Sequence, residues 1–191
     1  MIVEFIGPFS WLDKNNIPSI LTSPEGKRPG IYLWTVNTSD GELIYYVGET
    51  GRSFSQRLIE HFREHMSGGY HIHDPQEIVY GKKVQIWPGR FGSTGNRSIS
   101  EFLENYLSIA PSIVKLTEVY RFFVAPLQCD NRLRARIEAG IARHLYNQEG
   151  VIGSFQESGI RYNQRRKDEE PIEVEFVFTA TLLGLPKKLW V

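Results

Sequence analysis

Two β-patterned segments joined by a turn constrain this chain more than any other feature. Gly30 to Val36 and Glu42 to Val47 are rich in β-branched and aromatic residues. Asn37-Thr38-Ser39-Asp40-Gly41 between them has hairpin chemistry, with Asp40-Gly41 the expected turn. The pair sets Tyr32 and Tyr46 on neighbouring strands. Gly-bearing residues 48–51 then turn the chain into a helix over residues 53–66, where Phe54, Leu58 and Phe62 recur every four residues and Ser53 is a suitable cap. That helix carries Arg57 and His61, which are four apart and therefore share a face.

The remaining pattern is read the same way. Met1 to Ile6 reads as a short edge strand, and the Pro- and Asn-punctuated stretch from Pro8 to Pro29 as loop. Gly68-Gly69 stops the first helix. A short strand is expected at Val84 to Trp87. Ser98 to Glu101 has capping-box spacing and opens a helix bearing Phe102, Leu103, Tyr106 and Leu107, which Pro111 is expected to end. Leu116 to Ala125 reads as a strand. Asp130 or Asn131 caps a helix to about Tyr146, with Leu133, Ile137, Ile141 and Leu145 on one row. Ile172 to Phe178 alternates as a half-buried strand. The simplest parse is one α+β domain over residues 1–191. Its small mixed or antiparallel sheet is flanked by helices, with a long insertion at 66–117 before the helix that carries Glu138.

Composition narrows the classes. With one cysteine, Cys129, an internal disulfide framework is excluded and a reducing, cytoplasmic setting is expected. No apolar run reaches about 18 residues, so no membrane span is expected. The N-terminus lacks the basic and apolar regions of a signal peptide. Lys and Arg total 22 against 22 Asp and Glu, which argues against a non-specific nucleic-acid coat. The charge is uneven: residues 132–143 hold four arginines against one glutamate, and residues 161–167 hold four basic residues and no acid. Either run alone could equally be a solvated face.

Gly30-Ile31-Tyr32 and Tyr46-Val47-Gly48, followed by Arg57, His61, the Ile137-Glu138-Ala139 helix and Tyr162-Asn163, resemble the motifs of the GIY-YIG nuclease superfamily. The resemblance spans roughly Gly30 to Asn163. Valine stands for the usual isoleucine in the second triplet. The hairpin is longer than the family's usual one, and the gaps from His61 to Glu138 and from Glu138 to Asn163 are long. Asn147 competes with Asn163 for the asparagine position.

The resemblance implies a divalent-metal-dependent endonuclease acting on DNA, of restriction or repair type. The site would be Tyr32, Tyr46, Arg57, His61, Glu138 and Asn163. Glu138 would ligate Mg²⁺ or Mn²⁺, since one carboxylate plus waters and phosphate oxygens suits such an ion. Arg57 would hold the scissile phosphate; the alternative for it is an ion pair with Glu60 or Glu64. One tyrosine would activate or position water and the other bond the phosphate, with Tyr32 favoured as the base and His61 assisting. Asn163 would anchor the site.

Alternatives from the residues themselves stay open. Glu138 could pair with Arg134 or Arg136, and Tyr45 is expected in the core on the face opposite Tyr46. His71, His73 and Asp74 form a weak metal pattern. Arg90, Arg97, Trp87 and Phe91 in the insertion could contact DNA or pack a subdomain. A nucleic-acid-binding module of the same fold without cleavage is the rival function.

Overall fold

The computed structural model describes residues 1–90, 98–157, 160 and 162–191. The strands are β1 (Ile2–Phe9), β2 (Gly30–Thr38), β3 (Gly41–Thr50), β4 (Ile72–His73), β5 (Gln85–Trp87), β6 (Tyr120–Pro126), β7 (Glu173–Phe178), β8 (Leu182–Leu183) and β9 (Lys188–Trp190). The helices are α1 (Phe54–Met66), α2 (Pro75–Ile78), α3 (Ile99–Val119), α4 (Asn131–Tyr146) and α5 (Gly150–Phe155). Seven strands form one sheet in the order β8-β3-β2-β6-β1-β7-β9, antiparallel except for the β1/β7 and β3/β8 pairs. The class is α+β, with a mixed sheet larger than the hairpin alone implies.

Strand β2 lies inside the sheet and is buried on both faces over Gly30 to Val36. Its period-two alternation divides the core. Tyr32, Trp34 and Val36 face α1 and α3, while Ile31 and Leu33 face α4 and the C-terminal strands. Gly30 permits the close approach of β2 to β6: any Cβ there would overlap the Ala125 carbonyl oxygen.

A β-bulge shapes β3. Trp34 pairs with Tyr46 but Thr35 pairs with Ile44, so Tyr45 is the extra residue. The bulge resets the alternation and delivers both Tyr45 and Tyr46 to the α1 and α3 side. Tyr45 is therefore a core residue as expected, but on the same face as Tyr46 and not the opposite one. It packs against Trp34, Tyr120 and Phe155.

Four further expectations are corrected. Strand β1 is interior, between β6 and β7, because Val3 and Phe5 bury one face and its backbone pairs on both sides. The hairpin turns at Ser39-Asp40, with Thr38 and Gly41 already paired. Helix α3 runs through Pro111 to Val119, because Pro111 lies on its exposed side, where water can take the carbonyl bond that proline leaves unmade. Leu116 continues the buried row of Phe102, Ile109 and Ile113, so β6 starts only at Tyr120. Packing overrides the local β-propensity there.

The caps of α1, α3 and α4 fall where the sequence puts them. Ser53, Ser98 and Asp130 accept from the backbone N–H of Gln56, Glu101 and Leu133. On α1 the buried face is Phe54, Leu58, His61 and His65, with Phe62 only partly covered, so two histidines sit where an apolar stripe is expected.

Candidate functional site

Strand β8 covers only Glu42 and Leu43 of β3, and residues 156–157 reach the carbonyls of Ile44 and Tyr45. The remaining length of β3, from Tyr46 to Thr50, is the edge where the candidate site forms. Helix α1 brings Arg57 and His61 to one side of it, and α4 brings Glu138 to the other.

Tyr32 and Tyr46 lie side by side, their ring centroids 5.9 Å apart. Each packs edge-on against the His61 ring, at 5.8 and 5.5 Å. Tyr32 Oη is 2.7 Å from His61 Nε2. Gly48, the register partner of Tyr32, has no side chain because a Cβ would overlap the Tyr32 ring. The glycine of the second triplet thus makes room for the tyrosine of the first.

Arg57 is partly exposed and donates from Nη1 to Glu60 Oε2 at 3.0 Å. Of the two alternative ion pairs, with Glu60 or Glu64, the one with Glu60 therefore forms. It does not consume the charge, because Arg52 grips the same carboxylate at 2.7 and 2.9 Å. Burial pushes up the pKa of Tyr32, Tyr46, Tyr70 and Glu138, and the Arg57 guanidinium pulls each of them back down. This cation is thus the shared electrostatic partner of the cluster.

Glu138 pairs with neither Arg134 nor Arg136. Its Oε1 accepts the backbone N–H of Glu49 at 3.1 Å. Arg134 is buried against Glu49, Cys129 and Asn131, and Arg136 donates to the carbonyls of Glu170 and Val191. Burial, with the Glu49 carboxylate adding to it, pushes the Glu138 pKa up to about 7. Burial and Glu138 likewise push Tyr46 up to about 12. His61 is driven down to about 3 by burial and by Arg57, so its ring is neutral.

The donor set at Glu138 fits a hydrated hard cation. A partly buried carboxylate beside a second one, Glu49, whose ionisation is thereby disfavoured gains from a nearby positive ion. Among the described residues no group of three or more His, Cys, Asp or Glu could hold a metal, so a cation here would complete its shell with water and substrate oxygens. The same absence disposes of the His71, His73 and Asp74 pattern. His73 is buried in β4, His71 faces Glu157, and Asp74 caps α2 by accepting from Gln76 N–H at 2.8 Å.

Asn163 does not join the cluster. Its side chain is exposed and makes no hydrogen bond among the described residues, while its carbonyl is pinned by Arg132 at 2.9 Å. Asn147 is the exposed C-cap of α4. Tyr162, one residue before Asn163, is instead the neighbour whose phenol feels Tyr46 and Glu138, after the larger effects of burial and Tyr146. Tyr70 is a second residue that sequence pattern did not single out. Its Oη lies 3.2 Å from His61 Nδ1.

Three of the four arginines in the basic run of α4 are tied down, and Arg143 stays exposed beside Gln164. Arg134 and Arg136 are buried, and Arg132 is clasped by Glu169 at 2.6 Å. Within the insertion Trp87 is buried and donates to the Gly68 carbonyl at 2.8 Å, so it is a core residue and not a stacking platform. Arg90 donates to the Ser67 carbonyl at 3.1 Å. Phe91, Arg97 and Arg161 lie outside the described residues. No helix among the described residues is long and apolar enough to cross a membrane.

No family model, curated protein or solved structure matches this chain.

Proposed function

We propose that this chain is a divalent-metal-dependent endonuclease of the GIY-YIG type that hydrolyses DNA phosphodiester bonds, in a restriction or repair setting. One observation carries the reading. Tyr32, Tyr46, Arg57, His61 and Glu138 come from four separate elements and converge at one edge of the sheet, with a guanidinium, phenols and a partly buried carboxylate sharing one field.

Each group has work suited to its setting. Arg57, charged and partly exposed, binds the scissile phosphate and stabilises the charge that grows in the transition state. Glu138 holds Mg²⁺ or Mn²⁺, which supplies Lewis-acid neutralisation of phosphoryl charge. Tyr46 is the less buried of the two phenols and feels both Arg57 and Glu138, so it meets the substrate oxygens or the attacking water. Tyr32 is fully buried and hydrogen-bonded to neutral His61, and it orients what Tyr46 and Arg57 touch. The exposed Asn163 side chain makes no hydrogen bond to these groups among the described residues.

The test uses long DNA of high sequence diversity, such as a phage genome, incubated with Mg²⁺ or Mn²⁺. Parent protein should generate new ends and Glu138→Ala should not. Retention of DNA that weakens with salt, without new ends in either metal, would favour a binding module of the same fold. Failure to retain DNA at all would exclude both readings.

A further inference from the structure

We infer that Tyr70, supplied by the segment between α1 and β4, is a positioning residue of this site: its hydroxyl fixes the tautomer of His61 and thereby the direction of the Tyr32 proton. This inference rests on the proposed nuclease reading for its catalytic consequence, but not for the tautomer itself.

The geometry is a continuous chain. Tyr70 Oη lies 3.2 Å from His61 Nδ1, and His61 Nε2 lies 2.7 Å from Tyr32 Oη. The imidazole is buried between the two phenols, and its ring also contacts both of theirs. A neutral imidazole donates from one nitrogen and accepts at the other. Each phenol can do either, so the charges around the chain decide the direction.

At the Tyr32 end stands the Arg57 guanidinium, which has donors only. The Tyr32 oxygen is thereby favoured as an acceptor on that side, and its proton turns to the Nε2 lone pair. At the other end Tyr70 feels Arg57 first and Glu64, Glu60 and Glu157 after it, so the charges there set no direction of their own and its hydroxyl takes the role that Nδ1 leaves it. The Tyr32 end, through its 2.7 Å contact with Nε2, thus selects the Nδ1–H tautomer, with Tyr70 Oη as acceptor. Tyr32 then presents an oxygen lone pair, not its proton, to the guanidinium and to whatever Arg57 binds.

Removing the Tyr70 oxygen leaves a buried Nδ1–H without its partner. The ring escapes by moving its proton to Nε2, which turns the Tyr32 proton away from the imidazole, toward the Tyr46 and Arg57 side. The logic is that of an outer partner fixing a histidine tautomer, whose loss typically lowers activity about 10- to 100-fold.

The experiment is ¹⁵N NMR of histidine-labelled parent and Tyr70→Phe at neutral pH, with His61→Gln to assign the His61 signals. Phe keeps the ring contacts, and the other four histidines report on folding. Expected is a pyrrole-type Nδ1 and pyridine-type Nε2 in the parent, exchanged in Tyr70→Phe. Turnover of DNA should fall about 10- to 100-fold while KM stays within about twofold. An exchanged tautomer in a protein whose parent cleaves nothing would uphold the Tyr70–His61 coupling and sink the nuclease reading instead. An unchanged His61 tautomer in Tyr70→Phe overturns the inference, whatever happens to turnover.

Discussion

Gly48 and Tyr32 are register partners across the β2–β3 seam, and the Tyr32 ring occupies the space a Cβ on Gly48 would fill. The two triplets that mark this chain are therefore one packing unit, in which the glycine of one admits the phenol of the other. Gly48→Ala should push Tyr32 off His61, destabilise the fold by about 1–3 kcal/mol and abolish cleavage. Urea unfolding with a parallel DNA digestion measures both. Unchanged stability would mean that the ring moves aside freely.

Arg57→Ala should leave the fold intact. Glu60 keeps Arg52, so no carboxylate is orphaned, and an exposed pair of this kind contributes under about 1 kcal/mol. Turnover should nevertheless fall by about 10²- to 10³-fold, since the guanidinium shared by the phenols and Glu138 is gone. Circular dichroism melts alongside initial rates separate the two effects. A large drop in melting temperature would make Arg57 structural.

Glu138 gives a prediction with a definite sign. Its folded-state pKa of about 7 lies above the ordinary carboxylate value. Below the ordinary value both states are protonated and there is no penalty. Between there and pH 7 the unfolded chain ionises first, so metal-free stability falls as pH rises, then levels above 7. Glu138→Gln should therefore be more stable than the parent at pH 8 without metal, by on the order of 1–3 kcal/mol, and equal to it near pH 4. Added Mg²⁺ should stabilise the parent and not the variant. Equal stabilisation of both proteins would place the cation elsewhere.

The buried histidines titrate in the opposite sense. His61 is held down to about 3, and His65 and His73 to about 4, chiefly by burial. Their folded pKa values are depressed, so the stability they allow is present above the unfolded value near 6.5 and lost as pH falls toward 4. His65→Phe, which keeps the ring contacts to Trp34 and Tyr120, should flatten the loss between pH 6.5 and 4 by about one proton. Urea unfolding across that range reads the slope, and an unchanged slope would mean His65 is protonated in the folded state.

Much of the site was legible because its residues sit in regular elements. Hairpin alternation located Tyr32 and Tyr46, and helix spacing put Arg57 and His61 on one face. The capping residue and apolar row of α4 framed Glu138. What escaped depends on non-local geometry. The bulge at Tyr45 leaves no local mark, yet it decides which face Tyr46 occupies. Pro111 reads as a stop unless its exposed side is known. Trp87 and Arg134 look like surface chemistry until long-range packing buries them. Tyr70 belongs to no motif, since its value lies in contact with His61 across a turn, and the Tyr162-Asn163 motif does not tell that the phenol of Tyr162 feels Tyr46 and Glu138.

The most direct measurement is conversion of supercoiled plasmid to nicked and linear forms by parent, Glu138→Ala and Arg57→Ala, each in Mg²⁺ and in chelator. The account predicts metal-dependent conversion by the parent alone. Equal conversion by all three proteins, or conversion that survives chelation, would contradict it.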